Sequence, residues 1–567
     1  MSRVVIDPVT RVGGHLRIEA DVDGSSVSGA WATGTTFRGF ESTLLGRDAR
    51  DAWLLAQRVC GSSTGVHALA SVRAVENALG LSVPKNARLI RNILSGTTYV
   101  QNHVMHFYLA EVPDWADAAS ALTADPSATA ALAQSLSDWP NSSAAYFQSA
   151  KDRLTALVSG GPLARGPWGH SAYRTPSELN LLLYAHYLDA LDWQRSLVTA
   201  RTILGGKSPH PQTYLVGGMA VAPEWGGPTS PLPGEHPWRA ARHSAPPLSS
   251  NGLSDIAQLI DDSVPFVSNV LLPDVQAVAA YYPDWEGIGA GIGHYLSLGE
   301  FPLDDAQPGT LLLTHGRVMD RDLSKVYEVS QLGIAETVAH SWYGSATGGD
   351  ALIYPADAET RPAYDGPLPP YSTLQGADRY SWVKAPRYQD DPMEVGPLAR
   401  VVVGYAAGDT ELVAAVDRVT AKLQRGRDGL FSTIGRSLAR ALEAELIAGR
   451  LGEWTRELVA NLATGDLAVV DLAGSDTSRW PAEASGYGLV EGPQGAIGHW
   501  LSVANRRIAS YQIVDGNTWN VSPRDQRGRP GAVEQALEGT PLADPAHPLE
   551  VARSIHSFDP CAACAVH

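Results

Sequence analysis

Hydrophobic and polar positions alternate along the first 45 residues and again in the last hundred, which predicts strands towards both ends of the chain. In the stretch HLRIEADVDGSSVSGAWATG the alternation reverses around Asp23-Gly24, a pair that favours a hairpin turn. Residues 1–45 are therefore expected to form N-terminal strands.

Between these ends, apolar residues recur at helical spacing. The stretch STGVHALASVRAVENALG ends in Gly80, a residue typical of helix C-terminal caps. Residues 86–112 are apolar on much of their circumference, which predicts a buried helix. Residues 175–206 open with TPSE, which predicts a capping box with proline in the first helical position. Further helices are expected near 252–280, 409–425 and 430–450.

These elements predict an α+β fold, predominantly α, with a core of long helices and peripheral strands near the N-terminus and in the C-terminal region. Residues 1–567 are expected to form a single domain, because cysteines near both ends belong to one site and the ends must meet. Two Pro/Gly-rich stretches, about 222–251 and 355–399, are expected to be surface excursions.

The composition is that of an acidic globular protein. The net charge of −17 argues against a nucleic-acid-binding face. No run of 18 apolar residues is present, so we expect no transmembrane segment, and the first residues lack a signal-peptide pattern. Cytoplasmic, membrane-associated and exported locations all stay open, and export would depend on a signal carried by a partner.

The three cysteines of the chain are Cys60 in RVCGSSTGVH and Cys561 and Cys564 in DPCAACAVH. A C-x-x-C pair can chelate one metal ion, and three soft ligands favour zinc, nickel, Cu(I) or iron–sulfur. On ligand types alone, a structural zinc site completed by His567 or His67 is one possibility. A redox-active C-x-x-C is another, although no thioredoxin-like βαβ pattern surrounds it.

Longer motifs run along essentially the whole chain. They are DPVTRVGGH (7–15), TFRGFE (36–41), GRDARDAWLLAQRVCGSSTGVHALASV (46–72), HFYLAEVPDW (106–115), GGKSPHPQTYLVGGM (205–219), RYSWVKAPRY (379–388), MEVGPLAR (393–400), GAIGHW (495–500), TWNVSPRD (518–525) and HSFDPCAACAVH (556–567). Together they resemble the large, catalytic subunit of nickel–iron hydrogenases of the uptake type, and the two cysteine segments are highly specific to that family.

The resemblance implies a nickel–iron centre. In that family two C-x-x-C pairs hold nickel, and the second cysteine of each pair bridges to an iron that carries CO and cyanide. Cys60 and Cys561 are therefore expected as terminal nickel ligands and Cys564 as a bridge, while Ser63 takes the fourth position. The reaction implied is H2 ⇌ 2H⁺ + 2e⁻, with Cys561 among the catalytic residues.

The same resemblance implies a second metal site at the end of the chain. Glu41, the carbonyl of Ile513 and His567 match a site for Mg²⁺ or a similar hard cation, which prefers such ligands. Family chains end at this histidine after a protease removes a tail, so an end at His567 is expected either for a matured subunit or for a gene that lacks the tail.

Three further residues have roles implied by the resemblance. Arg524 and Asp559 match residues over and beside the metals, where a guanidinium can orient the splitting of H2. His67 matches a histidine that hydrogen-bonds a bridging sulfur. A structural ion pair of Arg524 with Asp525 or Asp559 is the alternative.

Three residues depart from the family pattern at the centre. Ser63 replaces a cysteine, and its hydroxyl is a poor bridge between soft metals. Gly13 replaces a glutamate that takes the departing proton. Asn102 replaces an aspartate and keeps its shape without its charge. Asn102 and Pro523 remain expected cofactor contacts.

These departures leave open a second hypothesis, a catalytically impaired or divergent homologue with a sensing or structural role. The matching cysteines and their surroundings favour a metal-bearing site instead. No cysteine is left for electron-carrying clusters, so we expect an iron–sulfur small subunit as partner, in a heterodimer or a dimer of heterodimers.

Overall fold

The computed structural model describes residues 2–221, 248–306, 309–344, 351–359, 361–374, 378–471, 474 and 476–567. Most of the first Pro/Gly-rich stretch, 222–247, lies outside the described residues. In the remainder helices outweigh strands and the sheets are small, so the predicted α+β fold with a mainly helical core is confirmed.

Long helices build the core. Lys85–His106 packs between Ser177–Gly205 and Thr433–Ala463. In the part of the chain described, no helix combines the length and apolarity needed to cross a bilayer. The longer helices are Thr64–Leu79, Lys85–His106, Pro126–Leu136, Ala144–Gly160, Ser177–Gly205, Ser250–Asp261, Leu272–Tyr281, Pro397–Ala406, Thr410–Leu423, Thr433–Ala463 and Leu549–His556. The shorter ones are Phe40–Leu44, Ala52–Ala56, Val112–Trp115, Ala118–Ala121, Val264–Phe266, Gly516–Asn520, Ala532–Leu537 and Ala562–Ala565, with π-helical turns at Phe107–Glu111 and Val267–Leu271.

The predicted helices are present with shifted ends. Thr64–Leu79 stops at Gly80, whose φ of 64° is the left-handed cap that the sequence indicates. The predicted capping box is wrong, because the cap residue Pro176 has no side-chain bond to the helix. Thr175 instead donates its hydroxyl to Asn180 and Trp115, so tertiary partners outcompete the local cap.

Antiparallel sheets lie near both ends of the chain. The first contains Ser2–Ile6, Leu16–Asp23 and Ser26–Gly34 in that order, and Asp23 pairs with Ser26, which confirms the hairpin. The last contains Glu483–Gly492, Gly495–Ala504 and Arg507–Val514. Two-stranded pairs join Tyr295–Pro302 to Leu311–Val318, Ile334–Thr337 to Ala385–Tyr388, Tyr214–Leu215 to Gly218–Met219, and Tyr343–Gly344 to Arg361–Pro362.

The second Pro/Gly-rich stretch, 355–399, is only partly a surface excursion. Residues 361–373 are largely exposed, but Ala385–Tyr388 is fully buried. Lys384 and Arg387 are buried there because each meets carboxylates in the interior. The expectation of an excursion is therefore wrong for the second half of this stretch.

The helix Thr64–Leu79 follows the first cysteine and lies directly on the strand Glu483–Gly492. The close approach requires glycine on the strand, since a Cβ at Gly488 would stand 2.0 Å from the carbonyl oxygen of Ala70. At the other end, Gly13 pairs with Cys561 as a parallel bridge. These contacts bring the cysteines of both chain ends to one place.

We predict that Gly488→Ala lowers the melting temperature, because the added methyl group meets helix backbone that has no room to move. A cost of about 1–3 kcal/mol is typical of overpacking. The matched control is Gly449→Ala, a helical glycine with open space around its Cβ position, which should be neutral or slightly stabilising. Equal melting temperatures for the two variants in thermal unfolding would contradict this account of the packing.

Candidate metal centre

Cys60, Cys561 and Cys564 meet in the interior. Their Sγ atoms all lie within 4.8 Å of one another, and all three residues are buried. Cys561 and Cys564 are joined as a disulfide, whereas Cys60 is a free thiol. Reduction of that disulfide yields three thiols that converge on one point, which is the donor set that a soft metal prefers.

The turn after Cys60 presents its sulfur at a helix N-terminus. Ser63 is the cap of the helix Thr64–Leu79, and its backbone N–H donates to the Cys60 sulfur at 3.3 Å. A helix N-terminus favours negative charge and stabilises a thiolate there. Gly61 and Ser62 are exposed, so the turn reaches the protein surface.

The C-terminal cysteine segment is fixed by residues from distant parts of the chain. The Cys561 amide donates to the Asn517 side chain at 2.7 Å, and the Ala563 amide donates to the carbonyl of Gly13 at 3.2 Å. Arg38 donates to the carbonyls of Val59 and Ala563, and so clamps the two cysteine segments together.

Ser63 directs its hydroxyl to Gln494. The Ser63 Oγ donates to the Gln494 Oε1 atom at 2.6 Å. The Gln494 amide nitrogen donates to Asp559 Oδ2 at 2.9 Å and to Ser62 Oγ at 3.2 Å. A glutamine that the sequence does not single out therefore connects the two cysteine segments.

His67 lies under Cys60 in a buried polar chain. Its Nδ1 faces His499 Nε2 at 3.1 Å, and its Nε2 is 3.2 Å from Asp515 Oδ2. Burial by itself lowers the pKa of His67, but Asp515 and Cys60 together raise it to about 9. The pKa of His499 is lowered well below its ordinary value by burial and by the adjacent His67. His67 is thus the charged partner, and it places a positive charge beside the Cys60 sulfur.

Asp559 lies two residues before Cys561 and belongs to a buried ion pair. Its Oδ1 is 3.0 Å from His106 Nδ1, and His106 Nε2 faces the carbonyl of His556 at 2.7 Å and Glu111 Oε1 at 3.1 Å. Burial lowers the pKa of His106, but the Asp559 and Glu111 carboxylates raise it to about 9. Since both ring nitrogens face acceptors, the imidazolium form satisfies the site.

The structure does not place Arg524 at the sulfurs. Its guanidinium donates to the carbonyls of Gly528 and Ala30, lies over Trp31 and is 3.6–3.9 Å from Glu538 and Glu534. The expectation of an arginine over the metals is therefore corrected. The alternative, an ion pair of Arg524 with Asp525 or Asp559, is also wrong. Asp525 binds Arg387 and Arg529, and Asp559 binds His106 and Gln494.

Pro523 and Asn102 have different surroundings. The Pro523 carbonyl accepts a hydrogen bond from Arg387. The loop around it is held by Asp525, which accepts from both Arg387 and Arg529. Among the described residues, Pro523 makes no hydrogen bond to the cysteines. The buried Oδ1 of Asn102 finds no hydrogen-bond partner in the part of the chain described, which leaves a polar group able to take a water or ligand.

Gly13 is confined by the site itself. A Cβ at this position would lie 2.6 Å from the Cys561 sulfur. A glutamate could be accommodated at this position only if Cys561 moved. The packing of this chain therefore requires the glycine, which cannot carry a proton.

Glu41, Ile513 and His567 also converge. His567 Nε2 is 2.6 Å from the Ile513 carbonyl and 3.6 Å from Glu41 Oε1, while its Nδ1 faces the carbonyl of Cys564. Neighbouring ligands of an octahedral Mg²⁺ with bonds of about 2.1 Å stand about 3 Å apart, which is close to both distances from His567.

Lys384 already supplies one positive charge to this region. Its Nζ is 2.9 Å from Glu41 Oε1 and 2.9 Å from Glu336 Oε2. Burial lowers the pKa of Lys384, but the two carboxylates raise it overall. A cavity of about 20 Å³ beside Glu336, Lys384 and Gln512 has room for about one water.

The sequence profile of the nickel-dependent hydrogenase family matches residues 38–567. The chain belongs to this family. The uptake hydrogenase large subunit of Bradyrhizobium diazoefficiens is 42% identical over 582 residues, covering all of this chain and 95% of the relative. The hydrogenase-1 large chain of Escherichia coli is 41% identical over 592 residues, with the same coverage. The nickel–iron–selenium hydrogenase of Desulfovibrio vulgaris Hildenborough, in its as-isolated oxidised state, is similar with a TM-score of 0.78 at 29% identity, covering both chains completely.

The chain is thus a nickel-dependent hydrogenase large subunit, and the predicted family and enzyme class are confirmed. The impaired-homologue and zinc alternatives are not favoured by these likenesses. Three buried thiols fit nickel in such a hydrogenase by their softness, although they are one fewer than two C-x-x-C pairs supply. The assignment of each ligand stays a prediction.

Several residues at the site of this hydrogenase were missed by sequence reasoning. They belong to motifs or lie beside them, yet their residue types give no signal for metal chemistry; they are Arg38, His106, Lys384, Gln494 and Asp515. A lone glutamine in a Gly-Pro-Gln-Gly turn gains its role only through the partners that the fold supplies.

We predict that His106→Gln destabilises this hydrogenase in a pH-dependent manner. The folded pKa of about 9 lies above the ordinary value of about 6.5, so the ion pair stabilises fully below pH 6.5 and its contribution is lost as the pH rises through 9. Breaking a buried pair costs about 3–5 kcal/mol, so the melting temperature should fall clearly at pH 6 and much less at pH 10. His547→Gln, at an exposed pair with Asp544, should change little at either pH. A pH-independent loss in His106→Gln would contradict the charged state.

Proposed function

We propose that this protein oxidises H2 reversibly to protons and electrons at a nickel–iron centre held by Cys60, Cys561 and Cys564. The observation that supports it most is the meeting of three buried sulfurs, drawn from both ends of the chain, in a member of the nickel-dependent hydrogenase family. When bound, the centre supplies H2 cleavage and the uptake of two electrons.

The residues around the sulfurs have separable tasks in this proposal. His67 and the N-terminus of Thr64–Leu79 stabilise the negative charge of the thiolates. Asp559, held as a carboxylate by His106, orients Gln494 against the first cysteine turn. Arg38 fixes the distance between the two cysteine segments, because it donates to a backbone carbonyl of each. Burial of all three sulfurs excludes bulk water from the reaction.

We propose an iron–sulfur small subunit as the electron acceptor. The three cysteines are committed to one site, so electrons must leave through another chain. Gly61 and Ser62 bring the first cysteine turn to the surface, and the exposed Arg38 and Arg58 flank it on a chain of net charge −17. The partner would cover this surface.

The finer chemistry of the centre is part of the same proposal. Iron with CO and cyanide ligands is what the resemblance to nickel–iron hydrogenases implies. Infrared spectra of the purified complex would test it, since CO and cyanide bound to iron give stretching bands in a region where proteins do not absorb. Bands that shift on exposure to H2 are expected, and their absence would contradict this part of the proposal.

We also propose Mg²⁺, or a similar hard cation, between Glu41, the Ile513 carbonyl and His567. The His567 Nδ1 contact with the Cys564 carbonyl leaves Nε2 as the metal-binding nitrogen. The ion would tie the last residue of the chain to the segment that follows the N-terminal sheet. Because Cys564 is only three residues away, the same ion would steady the sulfur site.

We predict that Cys564→Ser abolishes H2-dependent dye reduction, because the centre loses a soft bridging ligand. Arg524→Gln should keep its activity, since the guanidinium binds Ala30, Gly528 and the Glu534 region instead of the sulfurs. Both variants are assayed as complexes with the small subunit. Loss of activity in Arg524→Gln, with an unchanged melting temperature, would restore that arginine to the reaction.

We predict that Glu41→Gln loses the bound Mg²⁺ and loosens the segment around His567, because the site loses its one anionic ligand. Metal analysis and limited proteolysis of the native protein measure the two effects. Glu534→Gln is the control, as that buried carboxylate binds Tyr380 and the Ala32 amide away from the terminus. Mg²⁺ content and digestion equal to the parent in Glu41→Gln would contradict the site.

A further inference from the structure

We infer that Ser63 is not a metal ligand, and that Gln494 is a positioning residue which binds the serine hydroxyl and links it to Asp559. The centre would then have three protein thiolates, with the fourth position open to a non-protein ligand. This inference rests on the proposed function, because it concerns the same metal centre.

The orientation of the Gln494 amide follows from its partners. Asp559 Oδ2 can only accept, so the atom 2.9 Å away must be the NH2 group of the glutamine. The carbonyl oxygen therefore faces Ser63, at 2.6 Å from the hydroxyl. Ser62 Oγ, 3.2 Å from the same NH2 group, agrees with this orientation. The Ser63 proton is thus directed to Gln494.

The hydroxyl that would have to bridge the metals is therefore engaged with Gln494. An alcohol oxygen is also a weak ligand for soft metals.

The helix end gives a second, independent sign that the hydroxyl is engaged elsewhere. Serine at a helix N-cap usually accepts a hydrogen bond from a backbone N–H two or three residues on. Ser63 occupies the cap of Thr64–Leu79 without such a bond. Its hydroxyl instead donates to Gln494, which is 431 residues away in the sequence. A local rule broken for a distant contact is typical of a site under functional constraint.

The experiment measures nickel and iron per chain and the nickel K-edge absorption of the purified complex, for the parent and for Ser63→Ala and Ser63→Cys. If Ser63 is not a ligand, Ser63→Ala keeps the parent's metal content and its nickel coordination shell. Ser63→Cys should add about one sulfur to that shell. Loss of nickel in Ser63→Ala, or loss of an oxygen neighbour from its nickel shell, would overturn the inference.

The role of Gln494 needs its own variant. Gln494→Leu removes the hydrogen bonds to Ser63, Ser62 and Asp559, and we expect its nickel edge spectrum to differ from that of the parent. In a Ser63→Ala background the same substitution should have a smaller effect, because the two residues act as one unit. A lower melting temperature with an unchanged spectrum would reduce Gln494 to a structural residue and overturn its positioning role.

The two proposals fail in different ways. A parent complex without nickel would refute the proposed function, whatever the serine variants do. A parent with nickel and iron, whose Ser63→Ala variant loses them, would refute the three-thiolate inference and leave the proposed function in place.

Discussion

The structure depends on bringing two chain ends together around three sulfurs in a buried place. Each thiolate placed there costs desolvation energy unless positive charge or hydrogen-bond donors surround it. The chain meets this demand with the N-terminus of a long helix, the His67 imidazolium and the Arg38 guanidinium. Gly13 and Gly488 provide the close approaches, since neither site has room for a side chain.

The same requirement explains why so many charges lie in the interior. Arg400 is completely buried and pairs with Glu443 and Glu491 at 2.6 Å each. Its guanidinium also holds the turn before Gln494 in place, because it donates to the carbonyls of Gly492 and Pro493. A rigid ion network therefore fixes the loop that carries Gln494 to Ser63 and Asp559.

Much of the fold could be predicted from local patterns. The hairpin at Asp23 and the helix end at Gly80 follow from backbone preferences that act over a few residues. The capping box at Thr175 failed because a buried hydroxyl found better partners in the tertiary structure. The strand Tyr295–Pro302 was missed because it is covered on both faces, so its apolar and polar residues do not alternate clearly.

The site was predictable where the chemistry lies in the residue type, and not where it lies in orientation. Cysteines and a histidine close to them can be recognised in the sequence as possible metal ligands. Arg524 was misplaced because a motif gives a position in the chain, while Asp525, Arg529 and Arg387 decide which way its loop folds. Gln494 carries no chemical signal alone, and gains one from Ser63 and Asp559, which are distant in the sequence.

The most direct test of the central claim is the nickel, iron and zinc content of the purified complex, measured per large subunit after subtracting the iron of the small subunit's clusters. The account predicts nickel and iron in equal amounts and no zinc. Zinc alone, or iron without nickel, would mean that the three sulfurs form a structural site and that the likeness to hydrogenases records ancestry only.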